Sequence, residues 1–93
     1  MQLMKRSQVS VPWKEGLHLR PAAQLVTRAQ TFRSAISLRV NHRMANARSI
    51  LAILLLSASF GSVVDLEASG DDEDQAIAAV TSVFDLDDSQ GIK

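Results

Sequence analysis

The chain has 93 residues, enough for one domain and too short for two independent cores. Hydrophobic residues make up 46% and charged residues 22%, and ten basic residues offset ten acidic ones, so general attraction to nucleic acid or to an anionic membrane is not expected. With no cysteine there are no disulfides, no thiol catalysis and no thiolate metal site.

In chain order, Gln8-Val-Ser-Val11 alternates polar and apolar and predicts a strand that Pro12 ends. Pro12–Leu17 reads as a loop, with Gly16 available for an unusual backbone angle. From His18 the period changes. Pro21, Ala22, Leu25, Val26 and Ala29 recur at three- and four-residue spacing, an amphipathic helix with proline in its first turn, where a missing N–H costs nothing. Ala35–Val40 predicts a second strand, Asn41-His42 a tight turn, and Arg43–Ala47 a short third strand. Ser49 is a good N-cap for a short helix over Ile50–Leu56. Gly61 breaks the chain. Ser62–Ser69 predicts a fourth strand with one irregular step, carrying Val63, Val64, Leu66 and Ala68. Gly70 and Asp71 open a last helix, with Asp71–Asp74 at its positive end and Ala76, Ile77, Val80 and Phe84 as its apolar stripe.

The order is βαββαβα. It predicts an α/β (α+β) open-faced sandwich, a four-stranded, mainly antiparallel sheet with the helices on one face. One domain over residues 1–93 is expected, with an ordered core over about 5–85 and a polar tail over 86–93. The first residues, Met1-Gln-Leu-Met-Lys-Arg, lack the apolar stretch of a secretory signal. Ile50–Leu56, the longest apolar run, falls far short of the roughly 20 residues of a membrane span. A cytoplasmic location is therefore the expectation.

Chemistry concentrates in Gly16-Leu-His-Leu-Arg-Pro-Ala-Ala23. A histidine at a helix start lies beside backbone N–H groups and the positive end of the helix dipole, which is an anion site. Arg20 adds a planar, permanently charged fork suited to phosphate oxygens. Imidazole is a competent nucleophile near neutral pH. Phosphoryl transfer asks mainly for such positioning and charge stabilisation. His42 reads as a turn residue. The acidic run Asp71–Asp74 lacks the ligand spacing of a metal loop, so neither metal nor cofactor is expected. Along Ile50–Leu56, Ile53 and Leu56 form the expected core pair. Ile50, Leu51, Leu54 and Leu55 cannot all follow them inside, which leaves an apolar patch near His18.

These residues resemble the HPr family, the histidine-containing phosphocarriers of the bacterial phosphoenolpyruvate-dependent phosphotransferase system. The family pattern G-[LIM]-H-x-R-P-A stands here as Gly16-Leu17-His18-Leu19-Arg20-Pro21-Ala22, and a serine before a short apolar helix as Arg48-Ser49-Ile50-Leu51. Two separated motifs at the right spacing make the resemblance specific, and it runs without an evident gap from about Val9 to Phe84. It implies that Enzyme I phosphorylates His18 on Nδ1, that Arg20 contacts the phosphoryl group, and that a IIA domain receives it. Because a short helix cannot bury all its apolar faces, the exposed members of Ile50, Leu51, Leu54 and Leu55, with Arg48 beside them, are the expected partner-docking surface. Ser49 matches the serine that HPr kinase/phosphorylase modifies, which brings that kinase and a transcriptional regulator among the partners. Leu19, His42, Trp13 and Glu15 depart from the usual pattern. The run Ser49–Leu56 and the acidic tail are similar to the nitrogen-related paralogue. A regulatory phosphoprotein that binds partners according to the state of His18 or Ser49 is the alternative function. A nucleic-acid-binding sandwich is disfavoured by zero net charge and only four aromatic residues.

Overall fold

A computed structural model describes residues 4–85, and the polar tail expected over 86–93 lies outside the described residues. The elements are β1 (Lys5–Ser10), α1 (Leu19–Ala29), β2 (Ala35–Val40), β3 (Arg43–Asn46), α2 (Ile50–Leu55), β4 (Val63–Ser69) and α3 (Glu73–Thr81), followed by a 3₁₀ turn over Ser82–Asp85. The sheet order is β1-β4-β2-β3, and every neighbouring pair is antiparallel. This is the open-faced βαββαβα architecture, with the helices packed on one face.

Strand alternation decides which face they cover. Ile36, Leu38 and Val40 of β2 and Val64, Leu66 and Ala68 of β4 are buried, and Leu38 stands opposite Leu66 on one side and Ala45 on the other. Residues between them, such as Ser37, Arg39, Asp65 and Glu67, point to the uncovered face. Helix α1 closes the core with Pro21, Ala22, Leu25 and Ala29, as its periodicity predicts, while Val26 is half-buried. Arg28, in the last turn of α1, donates to the carbonyl of Ala79 and to Ser82 Oγ, tying α1 to the end of α3.

Several expectations need correction. Strand β1 begins at Lys5, earlier than its alternation suggests, and stops at Ser10. Strand β4 has no irregular step: Val63 is exposed and Val64 buried, so the strand alternates throughout. A two-residue turn of this kind commonly takes glycine at its second position, where His42 stands, but the left-handed angle falls on Asn41 (φ 58°), so position 42 does not require one. Phe84 belongs to the 3₁₀ turn rather than to the stripe of α3, yet it is buried.

The acidic run does more than favour a helix dipole. Asp72 sends its carboxylate across to the backbone N–H groups of Arg33 and Ser34 (2.9 and 3.0 Å) and to Ser34 Oγ (2.6 Å). The Ser34 hydroxyl, then the Arg33 N–H, holds its pKa below the ordinary carboxylate value. From the other side, the Arg48 guanidinium donates to the carbonyls of Phe32 and Ser34. The α1–β2 connection is thereby held between two charged groups.

Candidate functional site

The segment leading into α1 is stitched to the segment that follows α2. Val11 N–H donates to Ser62 O and Gly61 N–H to Val11 O, both at 2.9 Å, and Leu17 N–H donates to Ala58 O at 2.8 Å. Gly16 is required at this seam. Its φ is +81°, and a Cβ would lie 2.5 Å from Ala58 O. The seam places the start of α1 beside the chain leaving α2.

His18 is the N-cap residue of α1, in extended conformation (φ −98°, ψ −169°), and its carbonyl accepts the Ala22 N–H at 3.0 Å. Its side chain does not cap the helix. The imidazole stands edge-on to the Trp13 indole, with ring centroids 6.3 Å apart and planes at 87°. Trp13 in turn lies against Phe84 at 5.4 Å, tilted by 35°. The Nε2 atom of His18 is buried, although the residue as a whole is half-exposed. Arg20, in the first turn, is exposed. Helical geometry directs the first N–H groups of α1 outward along its axis, on the same end as His18 and Arg20. The arrangement suits an anion bonded to a ring nitrogen.

Ser49 caps α2 as its residue type predicts: Oγ accepts the Ala52 N–H at 3.2 Å. Within α2, Ile53 is fully buried and the following Leu56 is buried, while Ile50 and Leu54 are half-buried. Leu51 is 64% exposed, and Leu55, one turn on, shares its face at similar exposure. Leu19, the first residue of α1, is also largely exposed. Helices α1 and α2 pack together, and each carries exposed leucines, Leu19 on α1 and Leu51 and Leu55 on α2. Arg48 is placed differently, half-buried, with its guanidinium on the carbonyls of Phe32 and Ser34. No carboxylate occurs between Glu15 and Asp65, whereas Arg20, Arg28, Arg33, Arg39, Arg43 and Arg48 all do. The stretch of chain that carries these leucines is thus basic on a neutral protein. His42 is exposed in the β2–β3 turn.

Sequence reasoning missed Trp13 as a neighbour of His18. The signal was an indole in an otherwise polar loop five residues before the histidine. Among the described residues, no group of three metal-ligating side chains comes together and no helix is long and apolar enough to cross a membrane.

A family model for the phosphorylation site of the HPr component of the phosphotransferase system matches residues 5–85. Phosphocarrier protein HPr of Lysinibacillus sphaericus is 42% identical over 81 residues, covering 87% of this chain and 92% of that one. Phosphocarrier protein NPr of Proteus mirabilis is 42% identical over 79 residues, covering 83% and 87%. Among solved structures, a histidine-containing phosphocarrier protein of Mycoplasma superposes with a TM-score of 0.83 at 32% identity, covering 85% of this chain and 90% of the other.

Proposed function

Because the chain belongs to the HPr family, phosphocarriers that relay a phosphoryl group among phosphotransferase components rather than turn over a free substrate, we propose that His18 is its carrier residue, charged by Enzyme I and discharged to a IIA domain.

The observation that carries this reading is the pose of the imidazole: seated at the N-cap of α1, not used as a cap, with Nε2 buried. Burial of one nitrogen leaves Nδ1 to meet a donor. The Nδ1 lone pair attacks the donor's phosphorus. An N–P bond forms while the bond between phosphorus and donor breaks, its electron pair staying with the donor, and Nε2 keeps its proton. Discharge is the reverse: an acceptor's lone pair takes phosphorus, and the N–P electron pair returns to Nδ1. The outward N–H groups of α1 and the Arg20 guanidinium supply positive potential where the phosphoryl oxygens gather charge. Nothing in this chemistry needs a deep pocket, and an exposed site lets two partners reach the same atom in turn. Leu51 and Leu55, with Leu19 and the half-buried Ile50 and Leu54, supply the apolar centre for docking, and the basic stretch favours acidic rims.

The test is incubation with phosphoenolpyruvate and Enzyme I. Acid-labile label on the wild type and on His42→Ala, and none on a folded His18→Ala protein, is the expected result. Label retained by His18→Ala refutes the assignment.

The equal identity to proteins named HPr and NPr favours keeping a second reading, in which the same His18 chemistry and the Ser49 cap report nutrient status to a kinase or regulator. A phosphate on Ser49 is the distinguishing mark of that role.

A further inference from the structure

We propose that Trp13 is a positioning residue for the carrier histidine, its indole holding the His18 ring so that Nε2 stays buried and the phosphoryl group is directed to Nδ1.

The inference rests on the reading of His18 as carrier and extends it from which residue reacts to which atom. Free imidazole offers two chemically competent nitrogens, so a site that uses one of them must block the other. The His18 side chain makes no capping bond to α1, so the cap itself does not select a ring orientation. Trp13 has the placement to do so. Only 5% exposed, it sits edge-on to the imidazole, and the near-perpendicular rings match the favoured T-shaped geometry of aromatic pairs. Its own position is fixed from behind by buried Phe84 in the 3₁₀ turn. The turn over Trp13–Gly16, closed by the Gly16 N–H to Trp13 O bond at 2.9 Å, holds the backbone of the indole relative to the seam at Leu17. Thus a column of three rings, Phe84, Trp13 and His18, runs from the core to the reacting group. Leucine, smaller than the indole, would leave part of the space unfilled and lacks the edge-to-face preference that selects one ring orientation, whereas phenylalanine keeps that preference.

The consequence is a question of regiochemistry, which a merely structural role would not alter. Two probes read it: phosphorylation by Enzyme I, with the bonded nitrogen identified by ¹⁵N–³¹P coupling in ring-labelled protein, and acylation by diethyl pyrocarbonate, which needs no partner. Wild type should react at Nδ1 with both probes. In Trp13→Leu, Nε2 reactivity should rise about two- to tenfold, the range corresponding to loss of one such ring contact, and both phosphohistidine isomers should appear. Trp13→Phe should restore the single isomer. Phe84→Leu, which removes the backing ring and leaves the indole, should loosen the selection in the same direction and serves where Trp13→Leu does not fold.

Folded Trp13→Leu and Phe84→Leu proteins that still react at Nδ1 alone, at wild-type rates, would overturn the proposal. So would wild-type acylation at Nε2. Should wild type take no phosphoryl group while its acylation pattern still follows Trp13, the carrier reading fails and the positioning stands.

Discussion

Truncating Leu51 separates docking from folding in one experiment. The side chain is 64% exposed, so the fold itself buries only about a third of it. Full burial of a leucine is worth about 1.5–3 kcal/mol, so Leu51→Ala should lower stability by about 0.5–1 kcal/mol. In a domain of this size that corresponds to a melting temperature lower by about 2–8 °C. A partner that covers the exposed remainder gains about 1–2 kcal/mol, and its loss should weaken Enzyme I binding about five- to 30-fold. Ile53, two residues on and fully buried, is the control. Ile53→Ala should cost about 2–5 kcal/mol of stability and leave affinity unchanged wherever the protein is folded. Isothermal titration against Enzyme I, paired with thermal melts, measures both quantities. Wild-type affinity in Leu51→Ala, or a stability loss as large as that of Ile53→Ala, would refute the division of α2 into an exposed docking face and a core face.

Arg20→Ala should slow phosphoryl transfer by roughly ten- to 150-fold without changing the melting temperature, the range for losing one charged hydrogen-bonding partner of about 1.5–3 kcal/mol in the transition state; stopped-flow transfer kinetics check it. The Asp72 carboxylate has a folded pKa below its ordinary value, held there first by the Ser34 hydroxyl. Its contribution is therefore present above the unfolded carboxylate pKa and is lost as pH falls through the lower folded one. Asp72→Asn should be less stable than wild type at neutral pH and converge with it in acid, as urea titrations across pH will show. Phosphoserine at Ser49 should lower Enzyme I affinity while sparing the fold. It adds about −1.5 to −2 charge beside an apolar face that a partner must desolvate, and it sits at a helix start that tolerates negative charge. Equal affinity with and without the phosphate would leave Ser49 as a helix cap alone.

Much of this structure is written locally. Strand β2 follows from the alternation of Ile36, Leu38 and Val40, α1 from the spacing of Pro21, Ala22, Leu25 and Ala29, and the start of α2 from the Ser49 cap, because each depends on a few consecutive residues and one periodicity. The candidate carrier and its arginine were legible for the same reason, since a helix start is itself an anion-binding device. What was not legible depends on residues far apart in sequence. Trp13 lies against both His18 and Phe84, and Phe84 comes from near the other end of the described chain. Asp72 has a sufficient local explanation as a residue at the start of α3, which hides its bonds to Arg33 and Ser34. Arg48 adjoins the Ser49 motif, and nothing in its immediate sequence announces that it binds the carbonyls of the α1–β2 connection.

If His18 is the carrier, the phosphoryl group passes through it rather than ending there. Protein labelled from phosphoenolpyruvate by Enzyme I, then freed of Enzyme I, should lose its acid-labile label on mixing with a IIA domain, and the label should appear on the IIA domain in equal amount. Label that stays on the phosphoprotein, or a IIA domain charged equally well through a folded His18→Ala variant, would contradict the relay.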